Sequence, residues 1–235
     1  MELKRCTFLA LTAGCLFVGG MLMAPTTALA GCKDSASTGV DWSECRKRNL
    51  ILSGYDMSGG NFNKTDFFGS DMRETKLVGA NLSRATLTRA NVSYSDLSKA
   101  DLSKVDGGRA VMQEINLADG SLEKAEMFRV DFAGSILTNA NLNKTEMGRA
   151  NFENTDLTGS QITFTNLARA NFSGAKLAGA DFQKSWTYLT MFEGVDLSGV
   201  LNLTQEQLEL ACGNSDTILP AGLTAPAKWP CGSDE

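Results

Sequence analysis

Histidine is absent from all 235 residues of the chain. Its absence removes the usual general base near neutral pH, the imidazole partner of a serine or cysteine nucleophile, and the commonest metal ligand. There is no C-x-x-C pair and no Gly-rich phosphate loop, so the signatures of a thiolate metal site and of a phosphate cradle are missing too. Neither sign of charge is in great excess: 22 Lys and Arg face 27 Asp and Glu, a net −5. Mild acidity of that size implies solubility and names no partner. Carboxylates, hydroxyls and lysines are what remain for chemistry, and a stretch without loop insertions offers no pocket to gather them. No catalytic residue, cofactor or metal is expected.

What the chain does have is a strict period. Every fifth residue from Leu52 to Leu197 forms a series of thirty positions, all large and apolar except Gly107 and Thr187. Two residues before each centre, Gly, Ala, Ser or Thr fills 24 of the thirty. Asp or Asn fills 18 of the positions between, as in Ala80-Asn81-Leu82 and Ala180-Asp181-Phe182. Such a repeat decides the architecture before any local assignment. Five is neither the alternation of a flat strand nor the 3.6 of a helix. One large and one small inward side chain per five residues describe a chain that turns a corner at each repeat. Two residues after the centres, Arg89, Arg109, Arg129, Arg149 and Arg169 recur every 20 residues. So do Lys64, Arg84, Lys104, Lys124, Lys144 and Lys184, with Phe164 interrupting. A spacing of four repeats implies four sides per coil.

The A(D/N)Lxx motif resembles the pentapeptide-repeat proteins, over about 150 of the 235 residues. The resemblance implies an all-β fold, a right-handed quadrilateral β-helix, here of about 7.5 coils, with an N-terminal cap and a short C-terminal helical cap. With strands ~4.8 Å apart the rod would be roughly 36 Å long. Gly107 and Thr187 leave gaps in the core series, and a local irregularity is expected at each, with Val105 or Trp186 as partial fillers.

Both ends depart from the period. Lys4 and Arg5, the apolar run from Cys6 to Met23 and Ala28-Leu29-Ala30 predict a signal peptide over 1–30, cleaved after Ala30. The expectation is an exported bacterial protein, periplasmic or secreted, with no transmembrane segment in its mature chain. Leu29-Ala30-Gly31-Cys32 also resembles a lipobox, so a lipid anchor at Cys32 is the alternative. The mature chain keeps Cys32, Cys45, Cys212 and Cys231, one pair at each end, and an even count in an exported protein predicts two disulfides. Residues 31–49 read as an N-terminal cap, with Trp42 as apolar lid and Arg46, Lys47 and Arg48 as solvated charge. The repeats occupy 50–199. From 200 to 235, Thr204-Gln205-Glu206-Gln207 fits a capping box flanked by Leu203 and Leu208. A short helix to about Ala211 is expected, with Gly213 as its stop and an extended tail carrying Pro220, Pro226 and Pro230.

The feature that exceeds the motif is a charge asymmetry. The two basic columns lie on adjacent sides, while the matching corners of the other two sides are largely Gly, among them Gly54, Gly79, Gly134 and Gly194. Asp106, Glu126 and Glu146, three residues before Arg109, Arg129 and Arg149, are expected to share the arginines' charge, leaving the lysine column less neutralised. Phe68, Phe128 and Tyr188 recur between the columns at multiples of 20 and should point outward. These residues make up a candidate surface for an unknown protein or anionic envelope component. Some relatives in the resembled family mimic DNA and bind topoisomerases. That alternative requires a cytoplasmic, strongly negative protein, and basic columns on an exported chain meet neither condition; no nucleic-acid partner is expected.

Overall fold

The computed structural model describes residues 31–231; the expected signal peptide lies outside the described residues. From Asp41 onward, single-residue parallel bridges join successive repeats to those 20 residues later, from Asp41↔Asn61 to Asp181↔Leu201, with a gap at Lys176. Between bridges the backbone makes a turn every five residues. The chain is therefore a parallel β-solenoid with four walls and four corners per coil.

The repeat 80–84 shows why the motif folds this way. Buried backbone donors need partners, and all five find one. Asn81 N donates to Gly60 O of the preceding coil (2.9 Å), while Leu82 N (2.7 Å) and Arg84 N (2.9 Å) donate to Asp101 O and Ser103 O of the next. Ala80 N closes the preceding turn onto Leu77 O at 3.0 Å. Ser83 N is left without a backbone partner, and the Asn81 Oδ1 accepts from it at 3.1 Å. An Asp or Asn carboxamide or carboxylate oxygen two residues back is the ordinary way to close such a turn. The Asp/Asn column is thus a structural device, and the amides also stack: Asn81 Nδ2 donates to Asn61 Oδ1 at 3.2 Å.

Inside, each centre sits at the axis and each small residue lets the backbone close around it. Phe132, Phe152 and Phe172 stack at 5.6 and 4.8 Å between ring centroids. Most hydroxyls at the small position donate inward to a centre's carbonyl one coil back, as Thr145 does to Leu122 O (3.0 Å) and Thr155 to Phe132 O (2.8 Å), while the buried Ser160 hydroxyl has no partner. Gly107 causes no break. Its backbone N still donates to Glu126 O, and Met127 from the next coil fills the space, since a Cβ on Gly107 would lie 2.4 Å from the Met127 sulfur.

The coil register begins earlier than the apolar series does. Trp42 and Lys47 occupy inward positions of the same five-residue frame and are 2% and 8% exposed. Lys47 is therefore not solvated charge. Strand alternation turns it inward, where its Nζ donates to Cys32 O at 2.9 Å and lies 3.5 Å from the Trp42 ring centroid. Burial lowers its pKa, with Asp34 opposing the shift. Trp42 packs edge-on against Phe62 at 5.9 Å. Cys32 is bonded to Cys45 and Cys212 to Cys231, closing loops 13 and 19 residues apart. A sulfur bonded in this way has no thiol left to carry a lipid, which counts against the anchor at Cys32.

At the other end α1, Gln205–Leu210, has the capping box: Thr204 Oγ1 accepts from Gln207 N and the Gln207 side chain accepts from Thr204 N. Gln207 Nε2 then donates to Phe182 O and Ser185 O, at 2.9 and 2.8 Å, and Leu208 is fully buried. Thr187 breaks the apolar series because α1 needs a donor there: its Oγ1 donates to Gln207 O at 2.7 Å. Trp186 does not fill the gap; it is 51% exposed. Gly213 is not the helix stop. The helix ends at Leu210 with Ala211 as its C-cap, and Gly213 leaves room for Trp229, whose ring would lie 2.4 Å from a Cβ there.

Two outcomes follow for stability. Leu142→Ala opens a cavity at a site with no exposure and should cost about 2–5 kcal/mol in urea unfolding. Lys99→Gln, on the outer corner, should stay within about 0.5 kcal/mol. The Asx turns also set an acid dependence. The Ser198 hydroxyl and N–H hold the Asp196 carboxyl below its usual range, and Ser58 does the same for Asp56. A depressed folded-state pKa gives stability that is present above the unfolded value, about 3.9, and lost as pH falls through the folded one. Asn keeps the Oδ1 acceptor without titrating. The D56N/D196N variant should therefore lose less Tm than the parent between about pH 5 and pH 2 in a calorimetric series.

Candidate interaction surface

The two basic columns occupy the two corners that bound a single wall, the one whose inward residues are Phe67, Leu87, Gly107, Met127, Met147, Leu167 and Thr187. All eleven, Lys64, Arg84, Lys104, Lys124, Lys144 and Lys184 with Arg89, Arg109, Arg129, Arg149 and Arg169, are exposed. Every one is also in the left-handed backbone region, with φ between 57° and 60°. A side chain there costs about 1–2 kcal/mol that glycine avoids. Gly54, Gly79, Gly134 and Gly194 take the relaxed solution at the same turn position on the other corners, where Glu74, Tyr94, Lys99 and Glu114 also adopt the left-handed region.

The electrostatics differ from the expectation on the arginines. Among the described residues no ion pair within 4.0 Å joins Arg109, Arg129 or Arg149 to Asp106, Glu126 or Glu146. Those acids instead form their own ladder up the middle of the wall, as the bridges Asp106↔Glu126 and Glu126↔Glu146 place them. Local spacing of three residues suggested contact; the corner turns the arginine away from the acid's strand. Arg129 lies over the Phe128 ring at 5.3 Å instead. The lysine column is compensated at its two ion pairs, Lys64–Glu44 and Lys124–Glu123, both 2.6 Å and both exposed. Exposed pairs of this kind contribute little to stability.

Phe128 and Tyr188 do point outward, at 46% and 43% exposure, and Phe68 is half-buried beneath Arg48 (4.5 Å). Two features escaped the sequence reading. Phe164 does not merely interrupt the lysine column: Lys144 and Lys184 sit 5.9 and 5.3 Å from its centroid. Trp186, on the wall itself, lies beside Tyr188 with centroids 6.3 Å apart and planes 20° apart. The signal available was their place in 20-residue columns outside the apolar series, Phe164 in that of Lys144 and Lys184 and Trp186 in that of Glu126 and Glu146.

The surface is also less featureless than expected. A depression of about 320 Å³ lies on the opposite wall, lined by Lys176, Ala178, Asp196 and Gly199 among others, where small residues stack. A second, lined by residues of the N-terminal segment from Lys33 to Asp41, is about 620 Å³. Among the described residues, no group of three or more Cys, Asp or Glu is placed to hold a metal ion, and no helix is long and apolar enough to cross a membrane.

The model described as Pentapeptide repeats matches residues 65–103, 125–163 and 156–186, in eight copies. No curated protein matches the chain. Among solved structures, HetL, a pentapeptide repeat protein involved in heterocyst differentiation regulation from the cyanobacterium Nostoc sp. strain PCC 7120, is 24% identical over 83% of this chain and 92% of its own, with a TM-score of 0.39. Rfr23, a pentapeptide repeat protein from the cyanobacterium Cyanothece 51142, is 30% identical over 43% of this chain and 62% of its own, with a TM-score of 0.31. A trypsin-treated form of QnrB1, a plasmid-mediated fluoroquinolone resistance protein, is 18% identical over 75% and 90%, with a TM-score of 0.37. Pentapeptide-repeat proteins form right-handed quadrilateral β-helices and are generally non-enzymatic structural or interaction proteins. The five-residue register and the 20-residue ladder agree with the matched repeats: residues 65–103 and 125–186 of the chain are similar to pentapeptide repeats.

Proposed function

We propose that this protein is an exported, non-enzymatic interaction module that docks an anionic envelope component through the wall bounded by its two basic columns. The observation that carries the reading is the gathering of positive charge on two adjacent corners. Eleven Lys and Arg side chains are held in the left-handed backbone region on two adjacent corners, whereas the same position on the other two corners mixes glycine with Glu74, Tyr94, Lys99, Glu114, Asp119, Asn139 and Asn154. Self-repulsion between like charges one coil apart, ~4.8 Å, opposes that gathering. Nothing in the core needs them.

Export is supported by the leader-like segment at 1–30 and by two disulfides, which persist in oxidising compartments. The organisation we favour is a cleaved leader, an N-terminal cap over 31–49 whose last residues already share the coil frame, about 7.5 coils over 50–199, and a C-terminal cap of α1 and the disulfide-tied tail. A DNA mimic needs a dense negative wall, and the basic corners run against it.

Reversal of Lys104, Lys124 and Lys144 to Glu tests the proposal. The side chains are exposed, so Tm should change by no more than a few degrees. Retention of the protein on isolated, anionic envelope fragments should fall at least tenfold, and the remainder should lose its salt dependence, since exposed charges act through a screened field. Unchanged retention with unchanged salt dependence would reduce the columns to a solubility feature.

A further inference from the structure

Three large aromatic side chains stand outside the core within two successive coils: Phe164 is 47% exposed, Trp186 51% and Tyr188 43%. They span one wall from corner to corner, Phe164 between Lys144 and Lys184, Trp186 on the strand and Tyr188 at its far side. The acid ladder ends where they begin. Asn166 takes the next place after Glu146 and donates to its carboxylate at 2.8 Å, and Trp186 follows Asn166 on the same bridge column. Phe164 occupies a left-handed position, φ 55°, that favours glycine or asparagine. Exposed apolar patches of this kind mark interaction sites.

We infer that this patch is where the protein meets the surface of an anionic lipid bilayer. The inference rests on the docking role of the basic wall and narrows its partner. The wall is a β-ladder without loop insertions, so it offers no groove for an inserted peptide and suits an extended partner. Trp and Tyr, each an apolar ring with a polar tip, are the residues that settle at the headgroup boundary. Lys144 and Lys184 flank the rings with the charge that anionic headgroups attract. The occupant is thus a lipid surface rather than a buried ligand. The basic corners repeat at ~4.8 Å, out of step with the 3.4 Å charge spacing along a stacked nucleic-acid strand.

Trp186 makes the inference directly measurable, because Trp42 is buried and Trp229 half-buried. The disulfide-intact protein is sedimented with phosphatidylcholine vesicles, with and without phosphatidylglycerol, while tryptophan emission is recorded. Binding should require phosphatidylglycerol and shift the emission to the blue, and W186F should bind while losing most of the shift. The W186S/Y188S double variant and the K144Q/K184Q double variant should each weaken vesicle binding at least tenfold with circular dichroism unchanged, and only the lysine pair should also reduce salt dependence. Vesicle binding unaffected by W186S/Y188S would overturn the patch. Preferential, aromatic-dependent binding to a polyuronate or a single-stranded oligonucleotide would overturn the lipid assignment and leave the basic docking wall standing. Failure to bind any of these anionic probes would overturn both.

Discussion

The backbone of each repeat gives three of its N–H groups to neighbouring coils, and every other feature of the molecule accommodates that exchange. A strand one or two residues long cannot hold itself together, so the bonds must come from the turn of chain 20 residues away. That condition demands equal coil lengths. A single inserted residue would move every later centre out of the core and every later acceptor out of reach. The uninterrupted register from Leu52 to Leu197 is the trace of this demand in the sequence. The small column, the Asp/Asn column and the inward hydroxyls are secondary adjustments: room for the turn, an acceptor for the one orphaned N–H, and a second donor to the inward carbonyls.

A ladder of this kind has two open ends, and both are closed by residues that break the periodic rule. At the start, Lys47 replaces an apolar centre and is accommodated by a carbonyl, an aromatic face and the Cys32–Cys45 loop. At the finish, Thr187 donates to the Gln207 carbonyl and the Gln207 amide donates to Phe182 O and Ser185 O, binding α1 to the last full coil. These two polar departures mark the ends where the solenoid stops propagating, and each is matched by a specific hydrogen bond. Burying these groups without partners would cost several kcal/mol.

Because the scaffold uses its whole backbone to hold itself, recognition is confined to side chains on flat walls and corners. Corner residues are free of the core and their identity is open to selection by a partner. The charge pattern is therefore a surface property superimposed on a scaffold indifferent to it, and its gathering on two adjacent corners against self-repulsion is the physical reason to regard it as more than decoration. On the other two corners the same position is shared between glycine and mostly acidic or neutral residues, Glu74, Glu114, Asp119 and Asn154 among them.

Periodicity made much of this legible before any coordinates. The apolar series gave the register, and the 20-residue recurrence of Lys and Arg gave four sides, because a regular ladder carries composition directly into space. Local chemistry was equally readable: Thr204 and Gln207 form the capping box because capping involves only neighbours in sequence. The tertiary structure alone decided what depends on contacts between coils or on an end. It turned Lys47 inward against its polarity, filled the Gly107 gap with Met127, and gave Gly213 to the Trp229 ring. It separated Arg109, Arg129 and Arg149 from acids three residues away, since a corner intervenes, and it drew Phe164 between two lysines 20 residues to either side. The sequence by itself determined the frame, because every residue in a repeat answers to the same local geometry. Which side chains meet across that frame was decided by stacking between coils, where neighbours in space are 20 residues apart and no local pattern reports them.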